Sequence, residues 1–261
     1  MRSILICHNH AQLDRVGLAR WMGSFSDLAG IIVIHETKAA VRRRIYRQFK
    51  RVGFLRFLDV LAFRLHYRLF CAKLDAAWEQ EEIEKLRKLY RKKEIKELYA
   101  DTPNHKSVAA FIRELNPDIV IARTKFLIKK EVYELPSKGV YVLHPGVCPQ
   151  YRNAHGCFWA LSNRDLENVG VTLLRIDDGI DTGPVYGIYS YPFDEANESH
   201  HRIQERCLFE NLDQIKDKLL EITSGQANPL CRENEPSETW GQPWITKYIT
   251  WKRTLQRDTR P

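Results

Sequence analysis

Two short apolar runs separated by an amphipathic segment open the chain and constrain its fold. Residues 3–7 and 29–34 have the length and apolar character of buried strands, and residues 14–25 between them carry apolar side chains at helical spacing. Strand, helix and strand within 34 residues are typical of a parallel β-α-β unit. A chain of 261 residues that begins in this way can form one large α/β domain or two small ones.

The alternation of helix and strand resumes after residue 100. The predicted elements are a helix over 106–115, a strand over 118–122, a short helix over 129–135, strands over 140–143, 171–176 and 185–191, and one long helix over 198–222. We therefore predict an α/β fold with a mostly parallel, twisted sheet flanked by helices. Residues 1–225 are assigned to this domain, and residues 226–261 to a C-terminal tail that packs on it.

Residues 38–98 interrupt the alternation with a long helical stretch, which we interpret as a basic helical insertion. Helices are predicted over 42–51, 54–74 and 75–93. Residues 38–100 hold 18 Lys and Arg against 8 Asp and Glu, so this stretch accounts for the net charge of +8. Such a segment can bind the phosphates of RNA or a nucleotide, lie on an anionic membrane through residues 38–70, or pack on the domain or on a second subunit of a homodimer.

Composition and cysteine spacing exclude several other classes of protein. The six cysteines form no Cys-x-x-Cys pair, so neither a metal site nor a disulfide framework is expected. The first run contains only four apolar residues, Ile4 to Cys7, before it turns polar at His8, and four are too few for a secretory signal. No run approaches the roughly 18 apolar residues of a transmembrane helix, and we expect a cytoplasmic protein.

Two loops at predicted strand ends hold the reactive side chains. The glycine patterns of dinucleotide sites, P-loops and serine hydrolases are absent from the sequence. His144 instead follows the strand over 140–143, and Asp181 stands in the loop over 177–184. Open α/β sheets bind ligands at the carboxyl ends of their strands, and a histidine with a carboxylate there can act as a general acid–base pair.

Three segments of the sequence resemble the folate-dependent formyltransferase family. They are His144-Pro-Gly-Val-Cys-Pro-Gln-Tyr-Arg152, Phe158-Trp-Ala-Leu161 and Gly170-Val-Thr-Leu-Leu-Arg-Ile-Asp-Asp-Gly-Ile-Asp-Thr-Gly183. The family includes glycinamide ribonucleotide, methionyl-tRNA and sugar N-formyltransferases. The resemblance is strong over residues 100–190 and weak over 1–35. It implies a Rossmann-like fold and transfer of a formyl group from N10-formyltetrahydrofolate to an amine, with no metal.

The resemblance also implies roles for individual residues. By motif position, His144 and Asp181 form the catalytic pair, and Tyr151 and Arg152 are expected to bind the acceptor. Two loops are expected to hold the folate, with the residues Phe126, Leu127 and Ile128 in one and Ile176, Asp177, Asp178 and Gly179 in the other.

One position departs from the family pattern. The family's catalytic asparagine stands two residues before the histidine, where this chain has Val142. Valine cannot donate a hydrogen bond to the formyl oxygen, and losing one such donor costs about 10²–10³ in rate. We therefore expect Asn153 and His155, in the adjacent loop, to replace that donor.

The sequence favours a small acceptor over a tRNA. The loop over 151–156 departs from the family's commoner Tyr-Arg-Gly, and the tail is short for the C-terminal barrel of the tRNA-formylating enzymes. We expect an amino sugar on a nucleotide carrier. Two alternatives stay open, a formyltetrahydrofolate hydrolase and a catalytically weak folate or nucleotide binder whose basic segment docks on RNA or a membrane.

Overall fold

A seven-stranded sheet organises the chain, and a computed structural model describes residues 1–232 and 234–258. The strands are β1 (Arg2–His8), β2 (Asp27–Ile34), β3 (Lys96–Ala100), β4 (Ile119–Ala122), β5 (Gly139–His144), β6 (Val171–Arg175) and β7 (Val185–Tyr189). Their order across the sheet is β3-β2-β1-β4-β5-β6-β7. The first five are parallel, and β6 and β7 continue antiparallel. The predicted mostly parallel α/β fold is confirmed.

Helices cover both faces of this sheet. They are α1 (Ala19–Phe25), α2 (Lys38–Val52), α3 (Phe54–Phe70), α4 (Ala72–Leu89), α5 (Lys106–Leu115), α6 (Lys130–Tyr133), α7 (Gly156–Ser162), α8 (His200–Phe209), α9 (Leu212–Ser224) and α10 (Ile245–Asp258). A π-helical turn over Leu13–Leu18 precedes α1. Within the described residues, no helix combines the length and the apolar character needed to cross a bilayer.

The two faces of β1 show why its sequence is continuously apolar. Leu5 packs into a core with Trp21 and Phe209, whereas Ile4 packs on the opposite face with Ile112. Successive side chains of a strand point to opposite faces, so a strand covered on both sides buries every residue. Strand β2 is also buried on both faces, and this is why both strands could be predicted from their apolar sequences.

The structure corrects two of the predicted elements. The long helix over 198–222 is two helices, α8 and α9, because the side-chain amide of Asn211 between them donates to the carbonyls of Ser190 and Cys207 at 2.9 and 3.0 Å. The helical stretch over 38–98 ends at Leu89, and residues 96–100 form β3 instead, since pairing with β2 extends the sheet. That the three helices α2, α3 and α4 are an insertion stays a prediction.

Aromatic side chains of the C-terminal segment pack against the sheet domain. The Trp240 ring stacks on Trp159 at 4.8 Å between centroids, and Trp251 of α10 is buried. Helix α10 also contacts α3, where the Tyr248 ring meets Phe63 at 5.7 Å. Residue 233 and residues 259–261 of the predicted tail lie outside the described residues, and the division at residue 225 stays a prediction.

Candidate functional site

A cleft of about 1170 Å³ opens at the carboxyl ends of the parallel strands. The chain winds outward in opposite directions from β1, to β2 and β3 on one side and to β4 and β5 on the other. The loops that follow β1 and β4 therefore diverge, which leaves a crevice at the place where α/β proteins bind ligands. The lining includes His8 at the end of β1, Arg123 to Lys130 after β4, and His144 at the end of β5.

His144 and Asp181 meet at the floor of this cleft. His144 is 3 % exposed, and its Nδ1 lies 3.4 Å from Oδ2 of Asp181. Strand β6 runs antiparallel to β5 and ends beside Tyr141. The loop that follows β6 folds back along β5 and so brings Asp181 to His144 at the carboxyl end of β5. The same Oδ2 accepts a hydrogen bond of 2.8 Å from the main-chain N–H of Asn153. One carboxylate oxygen thus joins the histidine to the neighbouring loop.

The partners of His144 determine where its protons lie. Nε2 is 2.9 Å from the main-chain carbonyl oxygen of Tyr151. A carbonyl oxygen only accepts, so Nε2 must carry a proton. Nδ1 lies beside the Asp181 carboxylate. Without a proton, Nδ1 would turn its lone pair toward that negative charge and be repelled, so the contact is favourable only when Nδ1 is protonated as well. The geometry therefore suits an imidazolium–carboxylate pair.

Two glycines let the loop over 144–156 close on itself. A Cβ on Gly146 would lie 2.5 Å from the Tyr151 carbonyl oxygen, and one on Gly156 would lie 2.4 Å from the Gly146 Cα. Only glycine permits this approach, which sets the Tyr151 carbonyl on His144. Asn153, His155 and Asp181 adopt positive φ of 80°, 55° and 51°, and such left-handed residues concentrate at functional sites.

The residues predicted to hold the folate all line the cleft. Phe126, Leu127 and Ile128 follow β4, and Ile176, Asp177, Asp178 and Gly179 form the facing loop. Asp177 shapes that loop by accepting from Gly179 N–H and the Thr182 hydroxyl. The Tyr133 hydroxyl donates to Asp178 at 2.6 Å, which raises the pKa of Tyr133 to about 12 and links helix α6, after the first loop, to the second loop.

The two residues predicted to bind the acceptor lie outside the wall of the cleft. The Tyr151 hydroxyl donates to Asp165 at 2.8 Å, and its ring stacks on Trp240. Arg152 donates to the main-chain carbonyl of Ile180 at 3.1 Å. These side chains hold the loops on either side of His144 and Asp181, so the geometry favours a positioning role.

Val142 and its proposed substitutes share the cleft. Val142 packs against apolar neighbours that include Ile176 and contributes no polar atom. The Asn153 side-chain amide donates to the carbonyl of Trp240. Burial, together with the nearby positive charges of His201 and Arg64, lowers the pKa of His155 to about 4, so its ring is neutral at neutral pH.

Sequence reasoning missed a buried ionic group beneath the cleft. Arg123 donates to Asp14 at 3.1 Å, to Glu205 at 2.6 Å and to the carbonyl of Leu143 at 3.3 Å. The three charged side chains are at most 10 % exposed. Arg123 therefore ties the end of β4 to the residue before His144. The sequence feature that could have indicated this buried group is an arginine directly after a strand of four apolar residues.

His8, at the end of β1, was also missed. Its Nε2 accepts from the main-chain N–H of Lys125 at 3.4 Å, whereas its buried Nδ1 has no hydrogen-bond partner among residues 1–232 and 234–258. Burial and the charge of Lys125 lower the pKa of His8 to about 4, which keeps the ring neutral. A neutral ring that accepts through Nε2 carries its proton on Nδ1, so a donor is left for a ligand.

Side chains from distant helices complete the wall of the cleft. Arg64 and Tyr67 come from α3, His201 and Gln204 from α8, and Gln242 from the segment before α10. Arg64 donates to the side-chain oxygens of Gln48 and Gln242 and forms no ion pair within the described parts of the chain. In those same parts, no three His, Cys, Asp or Glu side chains are placed to hold a metal ion.

Comparison with known proteins gives this geometry a family context. The formyl transferase family model matches residues 76–218, which is more than half of the chain. Methionyl-tRNA formyltransferase of Thermus thermophilus is 32% identical over 133 residues, 47% of this chain and 43% of that protein. The Geobacter metallireducens enzyme is 32% identical over 158 residues, 58% of this chain and 48% of that protein. The chain thus spans about half the length of these relatives.

Solved structures with a similar fold are more distant in sequence. A sugar N-formyltransferase from a Shewanella species superposes with a TM-score of 0.57 at 13% identity, covering 98% of this chain and 88% of that one. A phosphoribosylglycinamide formyltransferase from Streptococcus pneumoniae superposes with a TM-score of 0.51 at 13% identity, covering 85% and 98%. At this identity the likeness concerns the fold alone. The family match rests on the sequence, and by that match the chain belongs to the formyl transferase family.

Proposed function

We propose that this chain transfers a formyl group from N10-formyltetrahydrofolate to an amine. The observation that carries the proposal is the contact between His144 and Asp181 on the floor of a large cleft. His144 ends β5 and Asp181 stands in the loop after β6, both within segments that match the family's motifs, and their separation of 3.4 Å places the two groups in ion-pair contact.

The residues of the folate-side loops fit a folate. Ile128, Val142 and Ile176 form an apolar wall for a flat heterocycle, and the polar groups of Asp177 and Asp178 lie at its rim. Leu127 is 62% exposed and can pack on a bound group. When bound, N10-formyltetrahydrofolate supplies the formyl group that the acceptor receives.

His144 and Asp181 have different roles in the proposed transfer: His144 stabilises negative charge, and Asp181 accepts a proton. His144 protonated on both nitrogens places a cation at the floor of the cleft, where it stabilises negative charge that develops on the formyl oxygen. Asp181 holds the proton on Nδ1 and can take up, directly or through water, the proton that the attacking amine releases; as the bond between the formyl carbon and N10 breaks, a proton passes to N10 of the departing tetrahydrofolate. The Asn153 N–H fixes the carboxylate in the position that both tasks need.

Asn153 and His155 supply the donor that Val142 cannot. The Asn153 amide nitrogen has two hydrogens, and the Trp240 carbonyl uses one of them. The neutral His155 ring has a single N–H, which has the Gln242 side chain as a hydrogen-bond partner. Both residues line the cleft on the same loop, and the unused hydrogen of the Asn153 amide makes Asn153 the main donor to a ligand that enters it.

The acceptor we propose is a small amine with an anionic portion, such as an amino sugar on a nucleotide carrier. Support comes from Arg64, a cation of the cleft wall that forms no ion pair within the described residues, and from the Nδ1–H of His8, which has no partner there. Arg64 has only amide oxygens as partners, so its charge is available to a phosphate. The sugar N-formyltransferase with a similar fold agrees with this choice.

The test is to incubate the purified protein with N10-formyltetrahydrofolate and a panel of amines. The panel contains nucleotide-linked amino sugars, glycinamide ribonucleotide, methionyl-tRNA and simple amines, with mass spectrometry of each acceptor and spectroscopy of the released tetrahydrofolate. We expect a formylated nucleotide-linked amino sugar.

Other outcomes separate the alternatives. Formate released at the same rate with and without any amine would show a hydrolase. Folate binding without turnover would show a binder, and the absence of both binding and turnover would refute the proposal.

A further inference from the structure

The exposed large hydrophobic side chains of the described residues concentrate on α2 and α3. Of the 18 large hydrophobic side chains that are exposed within the described residues, 11 fall between residues 45 and 74. Those on α2 and α3 form what we term the α2–α3 face: Ile45, Tyr46, Phe49, Phe54, Leu55, Leu58, Leu61, Leu65, Leu69 and Phe70. Single exposed hydrophobic residues are normal, but a contiguous group of this size marks an interaction surface.

Helix α3 is apolar on two opposite sides. Val60 and Phe63 are buried, and Phe63 packs on Phe158 of the sheet domain. Leu58, Leu61 and Leu65 recur at intervals of three and four residues and are 40 to 57% exposed. At 3.6 residues per turn these leucines lie on the side opposite Val60 and Phe63. The core accounts for one side of α3, and the other side has exposed leucines that no part of residues 1–232 or 234–258 buries.

Helix α2 has no buried residue in its 15 positions. It contacts α3, where the Phe49 and Phe57 rings meet edge to face at 5.4 Å. An isolated helix of this length is marginal in water, and most helices in proteins depend on burying one face. Helix α2 therefore needs a further surface on which to bury its apolar side chains.

The charges around this face identify the partner. Residues 38–70 contain ten Lys and Arg and a single acid, Asp59, which pairs with Arg56 at 3.2 Å. Arg42, Arg43 and Arg47 form no ion pair with any residue in 1–232 or 234–258, so their charges remain available. Apolar side chains flanked by uncompensated cations are the pattern of helices that lie in the interface of an anionic membrane.

We propose that the α2–α3 face binds the surface of membranes that contain anionic phospholipids. The leucine and phenylalanine side chains enter the boundary between headgroups and acyl chains, while the arginines contact phosphate groups. A symmetric dimer through this face would bring two copies of the same cationic segment together, and RNA offers no partner for a stripe of leucines. Membrane binding through this face is independent of formyl transfer.

Vesicle sedimentation tests the proposal. The purified chain is mixed with vesicles of equal parts phosphatidylglycerol and phosphatidylcholine, and with vesicles of phosphatidylcholine alone, at low and at high salt. We expect binding to the anionic vesicles that weakens with salt, and at least about tenfold weaker binding to the neutral ones.

Two sets of variants locate the binding surface. The double variant Leu58→Glu/Leu65→Glu should weaken anionic-vesicle binding by at least about tenfold, whereas Leu220→Glu, on the 40% exposed Leu220 of α9, should not. Replacing Arg42, Arg43 and Arg47 by Gln should weaken it by about a hundredfold at low salt, because each basic residue near the surface adds about fivefold. The matched control replaces the exposed Lys106, Arg113 and Lys138 by Gln.

Three outcomes would overturn the proposal. The first is no sedimentation of the folded protein with anionic vesicles at low salt. The second is a dimer by light scattering that Leu58→Glu/Leu65→Glu dissociates, without vesicle binding, which would make the face a contact between copies. The third is binding to RNA that the arginine variant loses and the leucine variant keeps, again without vesicle binding. Circular dichroism of every variant excludes unfolding as the cause.

Discussion

Replacing Arg123 by Met should destabilise the protein strongly. The change leaves Asp14 and Glu205 as buried carboxylates, each 8% exposed, without their shared cation. Removing one partner of a buried ion pair costs about 3–5 kcal/mol. For a chain of this size each kcal/mol lowers the unfolding temperature by about 2–4 °C, so we expect a decrease of about 6–20 °C.

The loss should depend on pH in a defined direction. Burial, opposed by Arg123 and reinforced by Glu205, raises the pKa of Asp14 from 3.8 to about 6. A carboxyl whose pKa is raised by folding contributes stability at low pH that is lost as pH rises through the folded-state value. Without Arg123 this penalty grows, so the deficit of Arg123→Met relative to wild type should be larger at about pH 8 than at about pH 5.

Thermal and urea unfolding of wild type and Arg123→Met at both pH values provide the assay. The control is Arg113→Met, since Arg113 is exposed on α5 and should change stability by less than about 0.5 kcal/mol. A loss below about 1 kcal/mol at the higher pH, or an equal loss at both pH values, would refute the ion-pair reasoning.

Three further predictions concern the cleft. Val142→Asn should raise formyl transfer little and can cost about 1–3 kcal/mol through an unpaired amide, whereas activation by about 10²-fold would show that no donor has replaced the asparagine. Asn153→Gly removes the side chain while tolerating the φ of 80°, and should lower turnover by about 10²–10³, measured on one acceptor. The depressed pKa of His155 contributes stability present above about pH 6.5 and lost toward about pH 4. His155→Gln should therefore flatten the decline of the unfolding temperature in that range, and an unchanged decline would contradict the assignment.

The sheet could be predicted largely because its central strands are buried on both faces. β1 and β2 appear in the sequence as continuous apolar runs, and the helix between them has clear periodicity. β3 could not be predicted, because Lys96 and Glu97 open an exposed edge strand whose pattern resembles the charged helix before it. The break between α8 and α9 depends on the tertiary contact of Asn211 with Ser190, which no local pattern reveals.

The candidate site likewise contains residues that the sequence predicts and residues that it does not. His144 and Asp181 came from motifs in short loops, and the structure brings them into contact. The Tyr151 side chain was assigned to the acceptor because it lies in the motif, but its ring belongs to the core and only its carbonyl reaches His144. Tyr67 and His201 line the cleft from helices far apart in the chain, and such convergence depends on packing that the sequence pattern does not encode locally.

The most direct test of the proposed chemistry is the steady-state rate of formyl transfer by Asp181→Asn. Asparagine keeps the shape and can still accept from the Asn153 N–H, but it removes the charge that holds a proton on Nδ1 of His144. We predict a kcat lower by about 10²–10⁴, with a nearly unchanged KM for N10-formyltetrahydrofolate and an unchanged unfolding temperature. Asp213→Asn, on the exposed face of α9, is the matched control. A kcat of Asp181→Asn within about threefold of wild type would contradict the assignment of transfer to the His144–Asp181 pair.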